Sequence, residues 1–140
     1  MRFKAHESFF IRKGWLYKGL RNIHEQPDLF SNKKINPADI LGIGTNMVRS
    51  LRYWLQATGL TNEVLSGGRH QEFTQLADII WKHDRYMEEM GTLWLLHYKL
   101  VSNKDDATAW YYFFNEFSMK EFSKNDFVEM IDLYSQINGS

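Results

Sequence analysis

The glycine spacing in "ADILGIGTNMVRSLRYWLQATGL", residues 38–60, limits where helices in this chain can begin and end. Gly42 and Gly44, with one residue between them, separate two helical stretches, and Gly59 closes the second. Glycine tolerates the left-handed backbone at which helices end, so these positions mark boundaries and not interiors. Just upstream, Asn36 is a good N-cap and Pro37 suits the first helical position. The spacing predicts a short helix, a tight turn at Gly42-Ile43-Gly44, and a second helix capped by Thr45 or Asn46 that runs to Thr58. Glycine in such a turn lets two helices meet at a steep angle.

The flanking segments extend this order. Phe10, Trp15, Leu16, Leu20 and Ile23 recur at helical spacing, which predicts a first helix from about Phe9 to His24, broken at Pro27. "NEVLSGGRHQEFT" predicts two short strands around a Ser66-Gly67-Gly68-Arg69 turn. Beyond it "QLADIIWKHDRYM", "TLWLLHYKLV", "ATAWYYFFNEF" and "KNDFVEMIDLYSQI" are helical in pattern. Helix, tight turn, helix and hairpin is the order of a winged helix-turn-helix. The expected fold is therefore mainly α: a winged helix-turn-helix with a small β-hairpin wing over residues 1–80, and a C-terminal helical bundle extension over 81–140 packed on it.

A phosphate-cradling loop is the other reading of "GIGTN", and it fails. A dinucleotide site needs a preceding strand and a third glycine, but Leu41 ends a helical stretch and the third position is Met47. No Gly-Lys-Ser/Thr run follows, as a P-loop requires.

Charge then narrows the function. The net charge is zero, yet residues 1–60 carry ten Lys/Arg against four Asp/Glu and residues 61–140 carry seven against thirteen. A half at +6 and a half at −6 suit a polyanion on one side and another partner on the other, or simply each other. In the second helix Val48, Leu51 and Leu55 form an apolar stripe, and Asn46, Arg49, Arg52, Tyr53 and Gln56 fall largely off it. Arginine reads guanine or phosphate, and asparagine or glutamine reads adenine. The expected contacts with duplex DNA are thus Asn46, Arg49, Arg52, Tyr53 and Gln56 along the groove, Thr45 at a phosphate and Arg69 from the wing. Lys33, Lys34, Arg12 and Lys13 would add sequence-independent phosphate contacts. Tyr53 and Trp54 are bulky for a groove and equally suit a core or a homodimer contact.

Other chemistry finds little footing. There is no cysteine, which excludes disulfides, thiol catalysis and cysteine-ligated zinc. The five histidines lack metal-ligand spacing, and no nucleophile elbow is present, so no metal, no cofactor and no enzymatic activity is expected. Aromatics make up 16% of the chain, densest in "TAWYYFFNEF", residues 108–117. Neighbouring acids disfavour a nucleic-acid stacking platform there, leaving a buried helix or a protein interface. No apolar run reaches the roughly 18 residues that span a bilayer, and "MRFKAHESFF" lacks the parts of a signal peptide, so a cytoplasmic location is expected.

"HESFFIRKGWLYKGL", "LGIGTNMVRSLRYWLQATGL", "GTLWLLHYKLVSNKDDATAWYYFFNEF" and "EFSKNDF" together resemble the bacterial family called domain of unknown function 4007, DUF4007, over nearly the whole chain. Its members are usually longer, which implies a short form or an N-terminal portion. The resemblance implies genes placed near phosphorothioate-type DNA modification and anti-phage defence genes, including sulfur-transfer enzymes as partners. It supplies no catalytic residues. Two functions remain open: a duplex-DNA binder in such a system, or an adaptor that docks a modification enzyme through its aromatic, acidic C-terminal half.

Overall fold

The computed structural model describes residues 1–139. Its elements in chain order are α1 (Trp15–Glu25), α2 (Pro37–Leu41), α3 (Thr45–Ala57), β1 (Thr61–Val64), β2 (His70–Phe73), α4 (Gln75–His83), α5 (Met90–Ser102), α6 (Thr108–Asn115) and α7 (Lys124–Asn138). The protein is mainly helical, with one two-stranded antiparallel hairpin that pairs Thr61 with Phe73 and Val64 with His70. No helix among the described residues is long and apolar enough to cross a membrane.

The local signals act where they stand. The Asn36 side chain accepts from the Ala38 N–H at 3.1 Å, Pro37 opens α2, and Gly42 closes it at φ 63°. The hairpin turn uses Gly67 and Gly68 at φ 73° and 96°. Two boundaries differ from expectation. Gly44 is the N-cap of α3 and offers no side-chain hydrogen bond, so neither Thr45 nor Asn46 caps it. The first helix starts at Trp15, after Gly14 at φ 82°, and not at Phe9. Phe10 belongs to no apolar face and is 79% exposed.

The core explains why α3 organises the molecule. Leu51 and Leu55 face α1, where Gly19 lets the helices come so close that a Cβ there would lie 2.7 Å from a Leu55 methyl, and Val48 is buried in the same core. A second face of α3, formed by Ser50, Tyr53, Trp54 and Ala57, is also buried. The N-terminal segment lies across this face. The Phe9 carbonyl accepts from Trp54 Nε1 at 3.0 Å and Ser50 Oγ at 3.3 Å, and His6 stacks on Trp54. The C-terminal half closes the same side: Tyr53 Oη donates to the Asp106 carbonyl at 2.9 Å, and Trp110 meets Trp54 edge-on.

Candidate nucleic-acid interface

With two faces of α3 buried, one side of the helix remains for outside contact. Thr45, Asn46 and Arg49 are exposed there, and Arg52 and Gln56 are half-buried. Arg49, Arg52, Tyr53 and Gln56 line one pocket of about 300 Å³ together with Arg2, Ala5 and Glu63. The N-terminal segment makes one wall and the hairpin another. Arg2 reaches this place because its backbone N–H donates to Thr108 Oγ1 at 3.0 Å and its guanidinium lies 3.4 Å from Asp106.

Within this group the arginines are not equivalent. Arg52 donates from Nε to Glu63 Oε2 at 2.9 Å, with a second bond from Nη2 to the same oxygen. Arg69 Nε lies 3.4 Å from Glu63 Oε1, and Gln71 Nε2 donates to Oε2 at 2.8 Å. Burial alone would raise the Glu63 pKa, but the Arg52 hydrogen bonds and the charges of Arg52 and Arg69 outweigh it and hold the carboxyl below its ordinary range. Arg49 has no acidic partner within ion-pair distance among the described residues.

Tyr53 is placed differently from the groove-facing position expected of it. It is 8% exposed, and its hydroxyl is engaged with Asp106. Burial, and after it the Asp106 charge, pushes its pKa up to about 12. Because the folded pKa lies above the unfolded value of 10.0, the stability it confers is present below pH 10 and is lost as pH rises through about 12. In an ultraviolet absorbance titration one tyrosine therefore ionises near pH 12. That step is missing from the Tyr53→Phe variant; if it survives there, Tyr53 is not its source.

The other expected contacts fall into two further places. Lys34 and Arg69 line a recess with Asp28, Asn32, Gly67 and Gly68, where the hairpin is held against the loop after α1. The Gln71 N–H donates to the Pro27 carbonyl at 2.8 Å, and Ser31 Oγ donates to the Arg69 carbonyl. Lys33 and Lys34 are exposed on this loop without an acidic partner among the described residues. His70 at the hairpin tip has a raised pKa, through the Gly68 carbonyl and then Glu72. Arg12 and Lys13 are apart from both places, beside Tyr17, Tyr86 and Leu93, with Arg12 5.5 Å over the Trp15 ring.

Arg2, Glu63 and Gln71 escaped the sequence reading. No local pattern links residues 2 and 106, or 52 and 63. The one available signal was that Glu63 is an acid in a strand between two basic segments.

Comparison with known proteins agrees with the fold. Two crystal structures of SspB, one of them magnesium ion-bound, resemble this chain with TM-scores of 0.84 and 0.83 at 31% identity. They cover 96% of this chain, whereas it spans only 42% and 43% of theirs. No curated protein matches. The model of the family described as "Protein of unknown function (DUF4007)" matches residues 3–140, and the chain belongs to the DUF4007 family.

Proposed function

We propose that this chain is a winged helix-turn-helix module that binds duplex DNA within a bacterial DNA-modification or anti-phage defence system. The observation that carries this reading is the exposed side of α3, where Arg49 stands without an acidic partner among the described residues, between Thr45 and Asn46 at the helix start and Gln56 toward its end. In this reading α2 and α3 are the two helices of the motif and the β1–β2 hairpin is the wing. The start of α3 carries backbone N–H groups free of any side-chain cap, which suit a phosphate oxygen. Arg49, Asn46 and Gln56 then meet base edges, while Lys33 and Lys34 hold the backbone beside the wing.

Among the described residues, no three His, Asp or Glu side chains gather where they could hold a metal ion.

A second reading has its own observation. Trp110, Phe113, Phe114, Phe122 and Phe127 line an almost wholly apolar groove of about 420 Å³. Trp94 and Tyr98 on α5 are 65% and 62% exposed. A patch of this kind suits protein docking, and exposed Glu116, Glu121, Glu129 and Asp132 on the same part of the chain favour a basic rim on the partner. This is the adaptor function, for a modification or sulfur-transfer enzyme.

Fluorescence anisotropy with a labelled random-sequence duplex of about 20 base pairs, titrated at several salt concentrations, decides the first reading. The expected result is binding that weakens linearly on a log–log plot against salt, with Lys34→Ala lowering the slope by about one and Arg49→Ala weakening binding through its lost base contact. Absence of binding at low salt rejects DNA contact and leaves the adaptor reading.

A further inference from the structure

Arg52 and Arg69, the two arginines that link α3 to the hairpin, share one carboxylate. Glu63 Oε2 accepts from Arg52 and from Gln71, and Oε1 faces Arg69 at 3.4 Å. The Glu63 side chain is only 18% exposed and Arg52 31%, so water screens this pair weakly, whereas Arg69 is 55% exposed and its attraction to Glu63 is more strongly screened. Gln71 is itself held, with its Oε1 accepting from Thr61 Oγ1 at 3.0 Å. The two guanidiniums and the carboxylate sum to one positive charge instead of two. A forked carboxylate pair also uses the donors that would otherwise grip a phosphate. Arg49 lines the same pocket without such a partner among the described residues.

We propose that Glu63 is a specificity-determining residue of the DNA surface: it withholds Arg52 and Arg69 from sequence-independent phosphate contact and leaves recognition to Arg49 and its neighbours on α3. This rests on the DNA-binding reading above. The physical reason is competition between anions. A backbone phosphate has to displace a carboxylate already hydrogen-bonded to Arg52 and fixed by Gln71. The displaced carboxylate, less than one-fifth exposed, would then be left without its partners, which is costly. A free arginine such as Arg49 meets no such cost. The clasp also joins α3 to β1 and the hairpin tip, so the helix and the wing approach DNA as one rigid surface.

The test compares wild type with Glu63→Gln in the anisotropy titration, on the same random-sequence duplex. Glutamine keeps the size and can still accept from Arg52, but it carries no charge. Glu63→Gln is expected to bind roughly 3–10-fold tighter at 0.1 M salt, with a slope steeper by about one. The gain should vanish when Arg52→Ala and Arg69→Ala are added. Equal or weaker binding by a folded Glu63→Gln chain overturns the proposal, as does a gain that persists without the two arginines. Wild type that fails to bind at all overturns the underlying DNA reading with it, so the two failures are told apart.

A second measurement needs no variant. In ¹⁵N-correlation spectra of the wild type, duplex should shift the Arg49 Nε–H signal, while the Arg52 Nε–H keeps the slow exchange with water that its bond to Glu63 confers and shows no hydrogen-bond coupling to phosphorus. A coupling between the Arg52 Nε–H and a phosphate on DNA addition means that phosphate has taken it from Glu63, and overturns the proposal even if Glu63→Gln does not fold.

Discussion

Replacing Trp54 with alanine lowers the stability of this protein by about 3–5 kcal/mol, the range for a buried tryptophan. The side chain is 1% exposed and sits where three separate parts of the chain meet. His6 stacks on it at 5.8 Å, Trp110 approaches edge-on at 6.2 Å, and Tyr53 packs beside it at 5.2 Å. Its indole N–H holds the Phe9 carbonyl, so the truncation leaves a cavity and also releases the N-terminal segment from α3. A fall in melting temperature of roughly 10–20 °C is expected by circular dichroism. The N-terminal segment should also become sensitive to protease. Trp94→Ala is the control: at 65% exposure its effect should stay within about 0.5 kcal/mol. Equal melting temperatures for the two variants would show that Trp54 does not join these parts.

The second large effect follows from the proposed DNA binding. Removing Lys33, Lys34 and Arg49 together takes away three exposed cations that have no acidic partner among the described residues. Each phosphate contact contributes about 0.9 to the salt slope, so losing Lys33 and Lys34 should lower it by nearly two units, and losing the Arg49 base contact should cost about 1–3 kcal/mol more. At 0.1 M salt that is a loss on the order of 100-fold or more in affinity. The fold should be unaffected, since none of the three contributes to the core. A slope unchanged from wild type would place DNA on some other surface.

Much of the local structure was legible. Asn36, Pro37 and Gly42 delimit α2 because capping and φ preferences act within three or four residues of each signal. Gly67 and Gly68 mark the hairpin for the same reason, through the positive φ they adopt. The periodicity of Val48, Leu51 and Leu55 marks one buried face of α3. The start of α1 was not legible. Phe9 and Phe10 continue a helical apolar spacing, but Gly14 interrupts it and the segment before lies across α3 instead. The burial of Tyr53, one of the alternatives its bulk left open, has a related reason. An amphipathic pattern reveals one buried face, whereas α3 has a second one covered by residues distant in sequence.

The candidate interface divides in the same way. The order of helices and hairpin, the position of the turn, and the excess of cations in the first sixty residues can all be read along the chain. Each of these follows from the residues themselves or from neighbours a few positions apart. Which of those cations remain free depends on contacts made across the fold. Glu63 comes within hydrogen-bonding distance of Arg52 across eleven residues, and Asp106 reaches Arg2 across more than a hundred. Coulomb attraction and hydrogen bonding act over a few ångströms of space, whatever the separation along the chain.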